Sequence, residues 1–231
     1  MTDDSVSARP RPLPVQVPVQ IPREPLLRKL GRAPVTCALA LTNLTVFLVA
    51  EHYGSTTQTA TLVRFGANDR SLVLLGEWWR LGTYMFLHIG WVHLFWNTYA
   101  SWGWCASVER ALGGWRFLLT YLAAGVGGGC LSALCQDIVS AGASGALFGI
   151  IGARLVVERR AAPNWSAFAA SPLTRATFRG VAFWIVLGLV ALPMDNYCHI
   201  GGLVTGAAVA WGLTASIATR PRRTPLAPPA P

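Results

Sequence analysis

The run Gly142-Ala143-Ser144-Gly145-Ala146-Leu147-Phe148-Gly149-Ile150-Ile151-Gly152-Ala153-Arg154 decides how this chain is read. It opens an apolar segment, Ser144–Val157, that is shorter than the about 20 residues of a membrane-spanning helix. Arg154 and Glu158 mark one end of that segment. Ser144 precedes them by ten to fourteen residues, or about 15–21 Å at 1.5 Å per residue. Against a hydrocarbon core about 30 Å thick, this predicts a helix that starts inside the membrane. Irregular backbone at such depth survives only where it is buried in protein or lines a water-filled cavity. A serine at a helix start is ordinarily an N-cap. Here the flanking glycines permit close approach of another backbone or a substrate. The free N–H groups and positive dipole end of the first turn also suit a developing oxyanion.

Composition supports the membrane. Hydrophobic residues make up 53% and charged residues 13% of the 231-residue chain, against about 25% charged in soluble domains. The ten tryptophans suit membrane–water interfaces. Around the quoted run lie five further apolar segments: Val35–Glu51, Trp91–Ser107, Phe117–Leu134, Phe178–Leu192 and His199–Ala218. With six alternating helices and the N-terminus in the cytoplasm, sixteen basic residues face inward and only Arg64, Arg70 and Arg80 face outward. That satisfies the positive-inside rule with both termini cytoplasmic. The net charge of +9 therefore reads as a topology signal. Its arginines cluster between apolar segments instead of lining one face, which argues against a nucleic-acid partner.

The flanks differ in kind. Residues 1–34 carry seven prolines and six basic residues, and residues 221–231 carry five prolines; both read as disordered cytoplasmic tails, at 1–34 and 219–231, around a membrane domain at 35–218. The long first loop, about Gly54 to Gly90, contains Glu77-Trp78-Trp79-Arg80 and then Leu81, Tyr84, Met85, Phe86 and Leu87. That mixture predicts an interfacial segment lying along the membrane surface. Cys37, Cys105, Cys130, Cys135 and Cys198 lack metal-site spacing and read as small apolar helix residues. Cys135 and Cys198 alone suggest a disulfide, through shared proximity to the outer face.

Two further motifs carry chemistry. His199, in Asp195-Asn196-Tyr197-Cys198-His199-Ile200-Gly201-Gly202, is an intramembrane ionisable group, which by default is functional. Gly202 and Gly206 share its helix face, and Gly145, Gly149 and Gly152 share a face of the fourth helix. Two small-residue faces allow close backbone packing, which would bring His199 to Ser144 as a general base. In the second helix His93 and Asn97 are i, i+4 neighbours after His88. Their side chains suit oxyanion donors, or hydrogen bonds between helices. A zinc motif would need Glu where Leu94 stands, so no metal is expected.

Taken in order, these motifs resemble those of the rhomboid intramembrane serine proteases. The likeness covers residues 35–218 and rests on Trp79-Arg80, the HxxxxHxxxN run from His88 to Asn97, Glu109-Arg110 with Gly113 before Arg116-Phe117, the GASG of Gly142–Gly145 and the DNxxHxGG of Asp195–Gly202. The resemblance implies an all-α membrane protein with six transmembrane helices, the short fourth beginning inside the bilayer. It implies a Ser144–His199 dyad without a third acid, and an oxyanion hole of His93, Asn97 and the Ser144 N–H. It also implies that Phe148 lies beside the histidine where some members have tyrosine. No cofactor is implied. The substrates implied are transmembrane proteins, cut in or near the outer half of a helix and preferably where it unwinds at a small residue. The expected location is the plasma membrane, as a multi-pass protein. The rival readings are a rhomboid-like protein that binds membrane proteins without cutting them, and a transporter with broken helices. The first would be expected to lack the serine or the histidine; the second lacks an inverted repeat and a cluster of intramembrane acids.

Overall fold

The computed structural model describes residues 31, 33–192 and 194–215. The tails expected at 1–34 and 219–231 lie almost wholly outside the described residues, as does the end of the sixth apolar segment, 216–218. The described chain is helical: α1 (Pro34–Tyr53), α2 (Thr59–Arg64), α3 (Arg70–Leu74), α4 (Arg80–Thr83), a 3-10 turn (Tyr84–Phe86), α5 (Gly90–Leu112), α6 (Gly114–Cys135), α7 (Ser144–Ala161), α8 (Trp165–Ala170), α9 (Pro172–Val190) and α10 (Asn196–Ala215). The one β-type contact among the described residues is an isolated antiparallel bridge between Asn68 and Ser140.

Among the described residues six helices reach eighteen residues or more, and each overlaps one of the six apolar segments. Four of them, α1, α6, α9 and α10, are long and apolar enough to cross a membrane. The other two differ for physical reasons. On α7 every residue from Gly145 to Ala153 is buried, as expected of a helix without a polar face, and its charges crowd into the last turns. On α5 the buried face carries Asn97, Ser101 and Glu109, polar groups that serve the interior.

The bundle is built around α7 and α10. The latter packs along both α7 and α6, while α5 covers another side of α7 and α1 packs on α5. Tyr84, Phe117, Tyr121, Leu147 and Ile150 fill the core. Helix α9 lies at the edge, with only 6% of its apolar window buried. The seam between α7 and α10 is made by glycine. A Cβ on Gly202 would overlap the Gly145 carbonyl oxygen, and one on Gly206 the Gly149 carbonyl oxygen. On the opposite side a Cβ on Gly152 would overlap the Leu203 carbonyl oxygen. The small-residue faces expected from the sequence therefore do meet, and the two backbones lie in contact.

Two polar clamps fix the remaining elements. Glu109, 3% exposed near the end of α5, caps the start of α1. Its carboxylate accepts from the Val35 N–H at 2.9 Å, the Thr36 N–H at 2.8 Å and the Thr36 hydroxyl at 2.7 Å. A carboxylate at a helix N-terminus satisfies orphan donors and complements the helix dipole. Replacing Glu109 with alanine leaves these groups buried without a partner and is expected to cost about 2–4 kcal/mol. A clear fall in the melting temperature of the detergent-solubilised protein, smaller for Glu109→Gln, would show it. An unchanged melting temperature would remove the clamp from this account.

The second clamp holds the first loop. Arg80 is buried, and its guanidinium donates to Glu77 at 2.6 Å and to the Val63 and Ala67 carbonyls at 2.7 and 3.0 Å. Asn68 exchanges backbone hydrogen bonds with Ser140 at 2.9 and 2.8 Å, and its side-chain amide donates to the Gly129 carbonyl at 3.0 Å. Asp69 caps α3, and the Ser71 hydroxyl holds its carboxyl below the usual carboxylate range. The loop is thus a folded unit docked on α6. At its tip Leu74, Leu75, Trp78 and Trp79 are left exposed, the character required of an interfacial segment. Cys105, Cys130, Cys135 and Cys198 are free thiols. Cys135 is exposed and Cys198 is buried against the Tyr84 hydroxyl, 3.1 Å away, so the disulfide suggested for that pair is not formed.

Candidate active site

The segment before α7 delivers Ser144. Its path is set by Ser140, bridged to Asn68, and by the Gly142 N–H, which donates to the Tyr84 carbonyl at 3.0 Å. Gly142 has φ +137°, a conformation that residues with a Cβ rarely adopt. A Cβ here would also lie 2.6 Å from Cε1 of His93. Glycine therefore lets the His93 ring rest directly on the turn that leads into the serine.

Ser144 is the first residue of α7, and its predecessor Ala143 occupies the cap position with no side-chain cap bond. The hydroxyl is thus not spent on capping. It lies 2.9 Å from Nε2 of His199. His199 stands in the first turn of α10, 5% exposed. Phe148, one turn beyond Ser144, stacks on the imidazole with centroids 4.2 Å apart and planes 3° from parallel. Nδ1 of His199 is buried and has no hydrogen-bond partner among the described residues. The stack, and not a carboxylate, sets the ring plane.

The acid four residues earlier has another task. Asp195 caps α10 by accepting from the Cys198 N–H at 2.8 Å, and it also accepts from the Ser132 hydroxyl at 2.5 Å and from the Gln136 amide. These bonds tie the start of α10 to the end of α6. Asn196 ties it to α9 by donating to the Ile185 carbonyl at 3.0 Å. Tyr84 completes the support. Its hydroxyl donates to the Gly125 carbonyl at 2.7 Å beside the Cys198 thiol.

His93 and Asn97 lie on α5. Nδ1 of His93 accepts from the Ile89 N–H at 3.2 Å. An accepting Nδ1 fixes the ring proton on Nε2, on the Cε1–Nε2 edge of the ring that faces the Gly142 turn. Asn97 is buried, and its amide donates to the His93 carbonyl one turn back at 3.0 Å. It therefore braces the His93 turn, with one N–H remaining. Ser144 and His199 are in direct contact and His93 lies against the adjoining turn, whereas Asn97 sits a turn deeper on α5. His93→Ala removes a donor and leaves the turn unsupported.

Sequence reasoning missed three supports. His88 is 1% exposed, with its ring 5.4 Å from that of His93. Tyr84 and Asp195 hold the starts of α7 and α10. An aspartate just before a helix is a recognisable cap signal; nothing local identifies Tyr84, whose partners lie 41 and 114 residues away.

Comparison with known proteins agrees with this architecture. The rhomboid domain family model matches residues 75–216. The rhomboid protease GluP of Bacillus subtilis is 42% identical over 189 residues, covering 79% of this chain and 36% of GluP. The mitochondrial RHOMBOID-like protein 6 of Arabidopsis thaliana is 40% identical over 152 residues, 64% of this chain and 48% of that protein. The rhomboid protease AarA of Providencia stuartii is 28% identical over 206 residues, 78% of this chain and 72% of AarA. This chain spans less than half the length of the first two relatives. With the family match covering more than half of the chain and its apolar helices long enough to cross a membrane, this is an integral membrane protein that belongs to the rhomboid family.

Proposed function

We propose that the protein is an intramembrane serine endopeptidase that hydrolyses peptide bonds in or next to transmembrane segments of other membrane proteins. The observation that carries this reading is the 2.9 Å contact between Ser144 Oγ and His199 Nε2, set at the starts of two helices whose backbones touch. Ser144 attacks the scissile carbonyl carbon while His199 Nε2 takes the hydroxyl proton. The Ser144 N–H, Nε2–H of His93 and the remaining N–H of Asn97 receive the oxyanion. His199 then protonates the leaving amine, and water, activated by the same ring, releases the acyl group. In this reading all six long helices cross the plasma membrane, both termini face the cytoplasm, and α7 starts inside the bilayer. Water and substrate then reach Ser144 from the outer side.

A fluorophosphonate probe tests the nucleophile without any knowledge of the substrate. Wild-type protein in membranes is expected to be labelled at Ser144, with labelling abolished in Ser144→Ala and strongly reduced in His199→Ala. Absence of labelling in wild type would favour a rhomboid-like protein that binds membrane proteins without cutting them.

A further inference from the structure

At the other end of α7 and α10 lies a charged cluster with no part in the chemistry. Arg159 and Arg160 are consecutive residues in the last turn of α7. The Arg159 guanidinium stacks over Trp165 of α8 at 4.2 Å and that of Arg160 over Trp211 of α10 at 4.3 Å. Arg160 Nη2 also donates to the Trp211 carbonyl at 2.9 Å, and Arg159 Nη1 to the Ala162 carbonyl at 3.5 Å. Among the described residues neither arginine has a carboxylate partner. The nearby Glu158 is taken by Arg154 at 2.8 Å and by the Thr174 hydroxyl at 3.1 Å. Each Nε is buried without a hydrogen-bond partner. Two consecutive cations are thus each held on a tryptophan ring, without a carboxylate partner among the described residues.

The surroundings say what would compensate them. Trp165 is 65% and Trp211 52% exposed, amphipathic rings of the kind found at headgroup level. Arg160 follows Ser144 by sixteen residues of continuous helix, or about 24 Å. If Ser144 lies within the bilayer, as proposed above, the arginines fall at the opposite headgroup layer. From Trp211 an exposed apolar stripe runs back along α10 through Val204 and Ile200, toward the membrane centre. A free phosphate would use the guanidinium groups alone, whereas a phospholipid would use both the guanidinium groups and the stripe.

We propose that Arg159 and Arg160, with Trp165 and Trp211, form a binding site for the phosphate of an anionic phospholipid, whose acyl chain lies along the Val204–Ile200 stripe of α10. Stacking leaves guanidinium N–H groups for charge-assisted bonds to phosphate, and fixes them before the lipid arrives.

Native mass spectrometry of the detergent-solubilised full chain, with phosphatidylglycerol or phosphatidylcholine added, tests this. Wild type is expected to retain phosphatidylglycerol about tenfold more than phosphatidylcholine, since each arginine near an anionic headgroup contributes severalfold. R159Q/R160Q is expected to lose that preference, while R175Q/R179Q, which removes as much charge from the start of α9, keeps it. Trp211→Leu preserves apolar contact but removes the stacking platform, and is expected to weaken the preference even if the double variant fails to fold. Excess inorganic phosphate should leave the lipid in place. No preference in wild type, equal loss in both double variants, an unchanged preference in Trp211→Leu, or displacement by inorganic phosphate would each overturn the proposal. Because the readout is lipid retention, it stands apart from the fluorophosphonate test of Ser144.

Discussion

Ser144→Ala and His199→Ala are each expected to lower cleavage by about 10⁴-fold or more, and the double variant to lower it no further. The reason is the single hydrogen bond that joins them. A serine hydroxyl is a poor nucleophile at neutral pH, and its reactivity depends on a base that takes the proton as attack proceeds. With either partner gone, what remains is binding and the oxyanion donors, the same residue of activity in all three variants. Neither change should unfold the protein. Among the described residues the Ser144 hydroxyl bonds to His199 alone, and His199 contributes to the fold chiefly through its stack on Phe148. Additive losses in the double variant would mean that the two side chains act independently, contrary to a dyad. The Phe148 stack suggests a graded companion. Phe148→Ala frees the imidazole plane, and an intermediate loss is expected because small misplacement of a catalytic group is costly.

Gly202→Val is expected to be the most damaging change away from the dyad. Its Cβ would overlap the Gly145 carbonyl oxygen, so α10 must move away from α7. Overpacking a tight core costs about 1–3 kcal/mol, occasionally more, and here the obstruction is backbone that cannot change rotamer. The same displacement carries His199, three residues earlier on α10, away from Ser144. A shift near 1 Å can cost about 10² in rate. Both melting temperature and cleavage should therefore fall together. Gly212, nearly three turns further along α10, meets nothing within 4 Å of an added Cβ. Gly212→Ala should leave activity unchanged and stability equal or slightly higher, as helix propensity predicts. If both substitutions are equally harmful, the glycines matter for helix formation in general and not for the contact.

These two expectations use features that were readable in the sequence to different degrees. The glycine spacing at 145, 149 and 152 and at 202 and 206 announced close approach, because helical periodicity puts such residues on one face. The pairing of Ser144 with His199 followed from that seam and from the ordered motifs. Helix ends were less legible, since apolarity marks immersion and not helix length. The second apolar segment stops at Ser107, yet α5 continues to Leu112. The apparent stop signal, Glu109, is buried as the cap of α1, a partner more than seventy residues away. The fifth starts at Phe178, yet α9 begins at Pro172 behind a Ser171 cap. Asn97 was expected to serve an oxyanion, and the second task of its amide, a hydrogen bond to the His93 carbonyl on its own helix, was not legible. Such choices depend on which neighbour fills the space, and spacing along one helix does not carry that information.

The central claim is tested most directly by purified wild type and Ser144→Ala reconstituted side by side in liposomes with a single-span membrane protein as substrate. Wild type is predicted to cut within or next to the span, and Ser144→Ala to cut at least about 10⁴-fold more slowly. Cleavage by Ser144→Ala at a rate near that of wild type would contradict the claim, because the bond would then be broken by a group other than the serine held against His199.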